Sequence, residues 1–81
     1  MEKTETTARR LLAAADVPAR TVAAALGLSE PGLSLKLSGR RPFRPEELAG
    51  IRDVLNQPAN LKKLGRRKPV TVDELLAEAA A

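Results

Sequence analysis

Residues 20–55 read RTVAAALGLSEPGLSLKLSGRRPFRPEELAGIRDVL, and this stretch decides the fold. Val22, Ala23 and Leu26 stand at i, i+1 and i+4, one face of a short helix from about Ala19 to Leu26. Gly27 follows, suited to the left-handed backbone that ends a helix. Leu28 is then an apolar plug, and Ser29 is a good N-cap for the next helix, Glu30 to about Ser38. Pro31 falls in the first turn of that helix, where a missing N–H does no harm. Leu33 and Leu37 form an i, i+4 apolar pair, and Gly39 closes the helix as Gly27 closed the one before. Two short helices joined by a glycine, an apolar residue and a Ser cap make a helix-turn-helix pattern. Its small Ala23 marks a close helix crossing, and Leu28 and Leu33 fill the wedge.

Working outward, the same logic adds helices on both sides. Ala8, Leu11, Leu12 and Ala15 predict a first helix from about Glu5 to Ala15, with Thr4 as its cap. Asp16-Val17-Pro18 ends it, because proline disfavours helical geometry in the residue before it. On the other side, Arg40-Arg41-Pro42-Phe43-Arg44 is a basic loop with one apolar anchor. A fourth helix starts at Pro45 and runs to about Leu55, with Leu48, Ile51 and Leu55 inward and the stem of Arg52 along the core. Residues 58–70 read as a basic linker, with one or two helical turns between Ala59 and Leu64. Thr71-x-x-Glu74 is a capping box opening a terminal helix from Val72 to about Ala80. Its stripe of Val72, Leu75, Leu76 and Ala79 is narrow and must dock on the domain or on a second chain. The expected architecture is therefore all-α, a small bundle of four to six helices: residues 1–57, a linker 58–70, and a helix in 71–81.

Composition narrows the chemistry. The 81 residues hold no Cys and no His, which removes disulfides, Ser–His and Cys–His catalysis and the usual zinc ligands. No enzyme, cofactor or metal is expected. No apolar run approaches the ~20 residues of a membrane span, and Met1-Glu2-Lys3-Thr4-Glu5 is too acidic and polar for a signal peptide. The expectation is a cytoplasmic protein without a small-molecule ligand. The net charge of +4 is unevenly spread. Residues 30–68 carry +6, between a nearly neutral start and an acidic end. A basic middle of this kind looks like a face for a polyanion.

The stretch resembles the Cro and phage-repressor (lambda-repressor-like) family of helix-turn-helix domains, in particular versions from actinobacteria and their phages. The resemblance rests on Val22-Ala23, Leu26-Gly27-Leu28-Ser29, Leu33-Ser34, Leu37-x-Gly39-Arg40-Arg41-Pro42-Phe43 and Glu47-Leu48, and covers roughly residues 5–56. It implies a double-stranded-DNA-binding regulator that acts by occluding a promoter. In such domains the second helix of the motif enters the major groove and the first lies across the backbone. By position, Glu30, Pro31, Ser34 and Leu35 then face the bases. Gly32 and Lys36 lie near flanking phosphates, as do Arg40, Arg41 and Arg44, while Arg20 and Thr21 start the helix on the opposite strand. Arg66, Arg67 and Lys68 read as a minor-groove arm toward DNA, a solvated linker or a nuclear-type basic patch.

The chain departs from the family pattern in three ways. Pro18 and Arg44 occupy cap positions that usually hold Ser or Thr, and no Arg, Gln or Asn stands on the groove face to make a bidentate base contact. Leu35 stands between core residue and contact residue. Two alternatives to the promoter-occluding regulator follow: a protein-interaction module that keeps the fold, and an antitoxin-like autorepressor with residues 59–81 as its partner-binding tail. A homodimer would pair through the fourth and terminal helices; a monomer would rely on its arm.

Overall fold

The computed structural model describes residues 6–76. Six helices follow one another: α1 (Thr7–Ala14), α2 (Ala19–Leu26), α3 (Glu30–Leu37), α4 (Pro45–Leu55), α5 (Pro58–Leu64) and α6 (Val72–Leu76). Among the described residues there is no strand, and no helix is long and apolar enough to cross a membrane. The expected Thr4 cap and the end of the terminal helix, Ala79 and Ala80, lie outside the described residues.

Most of the helix ends are set by local chemistry. Ser29 Oγ accepts the Gly32 N–H at 3.1 Å and caps α3. Gly27 takes φ 72°, the left-handed conformation that costs glycine little, and turns the chain from α2 toward α3. The cap of α1 is Thr6: its Oγ1 accepts the Arg9 N–H at 3.2 Å. The same hydroxyl donates to the Leu37 carbonyl at 2.8 Å, so the start of α1 is tied to the end of α3. Pro18 precedes α2 without any side-chain cap.

The C-terminal end of α1 is unusual. The Val17 N–H reaches the Leu12 carbonyl and the Asp16 N–H reaches that of Ala13, which puts Asp16 in the left-handed position at φ 63°. An aspartate there carries a steric cost and a negative charge at the negative end of the helix. Asp16→Gly is therefore expected to stabilise the domain by about 0.5–1 kcal/mol. Thermal denaturation should read this as a rise of about 3–6 °C; an unchanged or lower melting point would show that the aspartate carries no such cost.

The core sits between α1, α2, α3 and α4, with Val22, Leu33, Ile51 and Leu55 fully buried. Leu26, Leu28 and Phe43 are half-buried around it. Gly50, inside α4, lies against Leu26: a Cβ there would stand 2.3 Å from Leu26 Cδ2, so the residue keeps α2 and α4 close. Residues 58–70 are more than a linker, because Pro58–Leu64 is helical and packs on α1 and α4. Val70, 1% exposed, is a core residue. Both of its backbone groups are held by one side chain: Asn56 Nδ2 donates to the Val70 carbonyl at 3.0 Å, and the Val70 N–H donates to Asn56 Oδ1 at 2.6 Å. The terminal stripe docks on the domain only in part: α6 packs on α1 and α4 with Leu75 buried and Val72 half-buried, while Leu76, expected to dock with them, is 58% exposed.

Candidate nucleic-acid interface

The α3 side chains divide cleanly between core and surface. Leu33 and Leu37 point into the core, while Glu30, Pro31 and Ser34 are exposed, and Leu35 is half-buried. Ser34 also stands at the rim of a groove of about 270 Å³ shared with Arg9 and Ala13 of α1 and Ala19 of α2. The outer face of α3 thus offers one carboxylate, one hydroxyl and apolar carbon.

The basic loop is fixed to the end of α3 through the backbone. The Leu35 carbonyl accepts the Arg40 N–H at 3.0 Å, the Arg41 N–H at 3.2 Å and the Ser38 hydroxyl at 3.0 Å. Gly39 takes φ 84° to allow this turn. The side chains of Arg40, Arg41 and Arg44 are exposed beyond it, and Arg20 and Thr21 are exposed at the start of α2. Among the described residues none of these four arginines takes part in an ion pair. Their charge is available to a polyanion.

Two of the expected backbone contacts are engaged elsewhere. Lys36 Nζ sits 2.6 and 2.7 Å from the two carboxylate oxygens of Glu47, with the Lys36 side chain only 14% exposed. Lys36 is thus a structural link between α3 and α4, its charge engaged by Glu47 rather than open to a phosphate. The Gly32 N–H is occupied by the Ser29 cap. Glu47 also accepts the Arg44 N–H at 2.8 Å, supplying from the third helical position the cap that Arg44 lacks in its own side chain. That backbone N–H, followed by Lys36, holds the Glu47 carboxyl below the usual carboxylate range. Glu47 enters the sequence reading only as part of the family resemblance, with neither Lys36 nor the Arg44 N–H assigned to it. Its signal was legible in part, since a glutamate three places into a helix is half of a capping box.

Arg66, Arg67 and Lys68 lie on the turn between α5 and α6. Arg66 is not an open arm residue, because its guanidinium grips the Glu74 carboxylate through two nitrogens, one of them at 2.8 Å. The guanidinium in turn holds the Glu74 carboxyl below its ordinary range. Thr71 Oγ1 accepts the Glu74 N–H at 3.1 Å, so the Thr71-x-x-Glu74 box is made in one direction only. Among the described residues there is no group of three or more His, Cys, Asp or Glu side chains that could hold a metal ion. No protein-family model, curated protein or solved structure matches the chain.

Proposed function

We propose that α2 and α3 act as a helix-turn-helix and that the chain is a double-stranded-DNA-binding regulator that blocks a promoter in the cytoplasm. The observation that carries this reading is the exposed outer face of α3 together with four exposed arginines that make no ion pair among the described residues, Arg20 at the start of α2 and Arg40, Arg41 and Arg44 in the loop that leaves α3. Phosphates are the same in every sequence and base edges are not, so the arginines anchor and the α3 face selects. Glu30 accepts from cytosine N4, Ser34 bonds either kind of base edge, and Pro31 and Leu35 lie against thymine methyls. The resemblance to Cro and phage repressors points the same way, and a symmetric operator would call for a homodimer.

The test is a DNA-binding titration over a range of salt, with and without substitutions. With Lys36 engaged by Glu47, the four exposed arginines imply a log–log salt slope of about −3 to −4. Arg40→Ala and Arg41→Ala should each weaken binding to all sequences alike and reduce the slope by about one. Ser34→Ala should instead change preference at one or two base pairs by ~1–3 kcal/mol and leave non-specific affinity near the parent's. Binding that ignores salt sinks the reading. If Ser34→Ala and Leu35→Ala variants, with the fold intact, choose the same sites as the parent, α3 is not the reader and base selection moves to the Arg66-Arg67-Lys68 turn; no binding to any duplex by the parent leaves the protein-interaction module.

A further inference from the structure

We propose that Arg9 of α1 is a base-reading residue, aimed at a guanine beside the base pair that Ser34 meets. This rests on the DNA-binding reading above and deepens it. The outer face of α3 holds no side chain with a fork of donors, so a bidentate contact to a guanine edge has to come from another element. Arg9 is the arginine that the fold brings to that face. It is exposed, and it lines the same groove of about 270 Å³ as Ser34. The floor of the groove is apolar, with Leu12 and Leu37 buried, and Ala13 and Ala19 add little bulk to its walls. No carboxylate lines it among the described residues. An arginine on such a rim can lay its stem along apolar carbon and hold its charged head outward.

The place of Arg9 against α3 is built into the backbone. The Arg9 N–H donates to Thr6 Oγ1 at 3.2 Å, and the same hydroxyl donates to the Leu37 carbonyl at 2.8 Å. The Thr6 N–H reaches that carbonyl as well, at 3.4 Å. A single hydroxyl thus ties the first turn of α1 to the last turn of α3. Whatever register α3 takes on a duplex, the first turn of α1 takes with it.

Position argues for a base rather than a phosphate. Arg20 starts a helix, and Arg40, Arg41 and Arg44 stand in a loop, whereas Arg9 shares a groove with a side chain assigned to base edges. The guanidinium presents two parallel donors that match O6 and N7 of guanine. A lysine at the same place would supply the charge without that shape.

The experiment uses the full chain and duplexes that the parent selects from a random pool. Arg9→Ala and Arg9→Lys are each expected to lose the preference for one G·C pair by about tenfold, and to keep affinity for unrelated duplexes within about threefold of the parent's. Arg9→Lys should also keep the parent's salt slope. Replacing that guanine by 7-deazaguanine, which lacks the N7 acceptor, should weaken the parent's binding about fivefold and leave both variants unmoved. Arg9→Lys retains the stem and the charge, so it reports even if Arg9→Ala unfolds. An equal loss on every sequence, with the salt slope of Arg9→Ala reduced by about one, makes Arg9 a phosphate anchor and overturns the inference. Unchanged preferences in both Arg9 variants overturn it too; a Ser34→Ala variant that shifts its own base pair in the same assay then leaves the α3 reading standing. A parent that binds no duplex removes both.

Discussion

Glu47→Ala is expected to destabilise the domain by about 2–3 kcal/mol, a large fraction of the stability of so small a chain. The substitution strands the ammonium of Lys36, whose side chain is 14% exposed, and removes the acceptor of the Arg44 N–H. The cost lies below that of breaking a deeply buried pair because Lys36 sits close enough to the surface to reach water. Glu47→Gln keeps an oxygen for either partner and should cost about half as much. Urea denaturation of the three proteins checks this; equal midpoints would show the link to be idle. The pH dependence follows from the same geometry. The Glu47 and Glu74 carboxyls are both held below the ordinary value of 4.5 in the folded chain. Their contribution is complete above the unfolded carboxylate range and is lost as pH falls through the depressed folded values. The parent's melting temperature should therefore drop on acidification below about pH 5, and Glu47→Gln should drop less.

Deleting residues 70–81 is expected to leave little folded protein. The deletion strips Val70 and Leu75, 1% and 5% exposed, from the core, and leaves the Asn56 amide without its partners. Leu75→Ala alone should cost about 2–4 kcal/mol, and Asn56→Ala about 2 kcal/mol through the paired hydrogen bonds to Val70. A domain of this size has a total stability on the order of 5 kcal/mol, so the combined loss exceeds what it holds. Circular dichroism and thermal denaturation of the deletion and of the single substitutions give the comparison. A truncated chain with the parent's melting curve would mean that this segment adds nothing to the fold.

What could be read from sequence was local. The Ser29 cap, the Gly27 turn, the Pro45 helix start and the inward faces of α1 to α4 depend on residues within one or two turns of each other, and they were legible. The α1 cap fell at Thr6 because its hydroxyl serves two groups, the second of them 31 residues away. Val70 was hidden for a similar reason. A lone valine beyond a basic stretch has no periodicity of its own, and the Asn56 amide that receives it lies 14 residues upstream. Lys36 looked like a phosphate contact because position on α3 says nothing of a carboxylate 11 residues on. Charges show their number in a sequence and their partners only in a fold. The exposed set of Arg20, Arg40, Arg41 and Arg44 needed no such partner, and the structure leaves it on the surface.

The Leu35 carbonyl, with three donors gathered on it, has a bearing on how such a domain changes over generations. Two of those donors are main-chain N–H groups, which every residue but proline possesses whatever its side chain. The loop's attachment to α3 is therefore indifferent to the identity of residues 30, 31 and 34. On the proposed reading, substitutions on that outer face would retune which target is preferred without loosening the loop that carries Arg40, Arg41 and Arg44. Were α3 the selecting face, as proposed, inheritance could alter the choice of site in single steps, each passing through a protein whose loop stays attached.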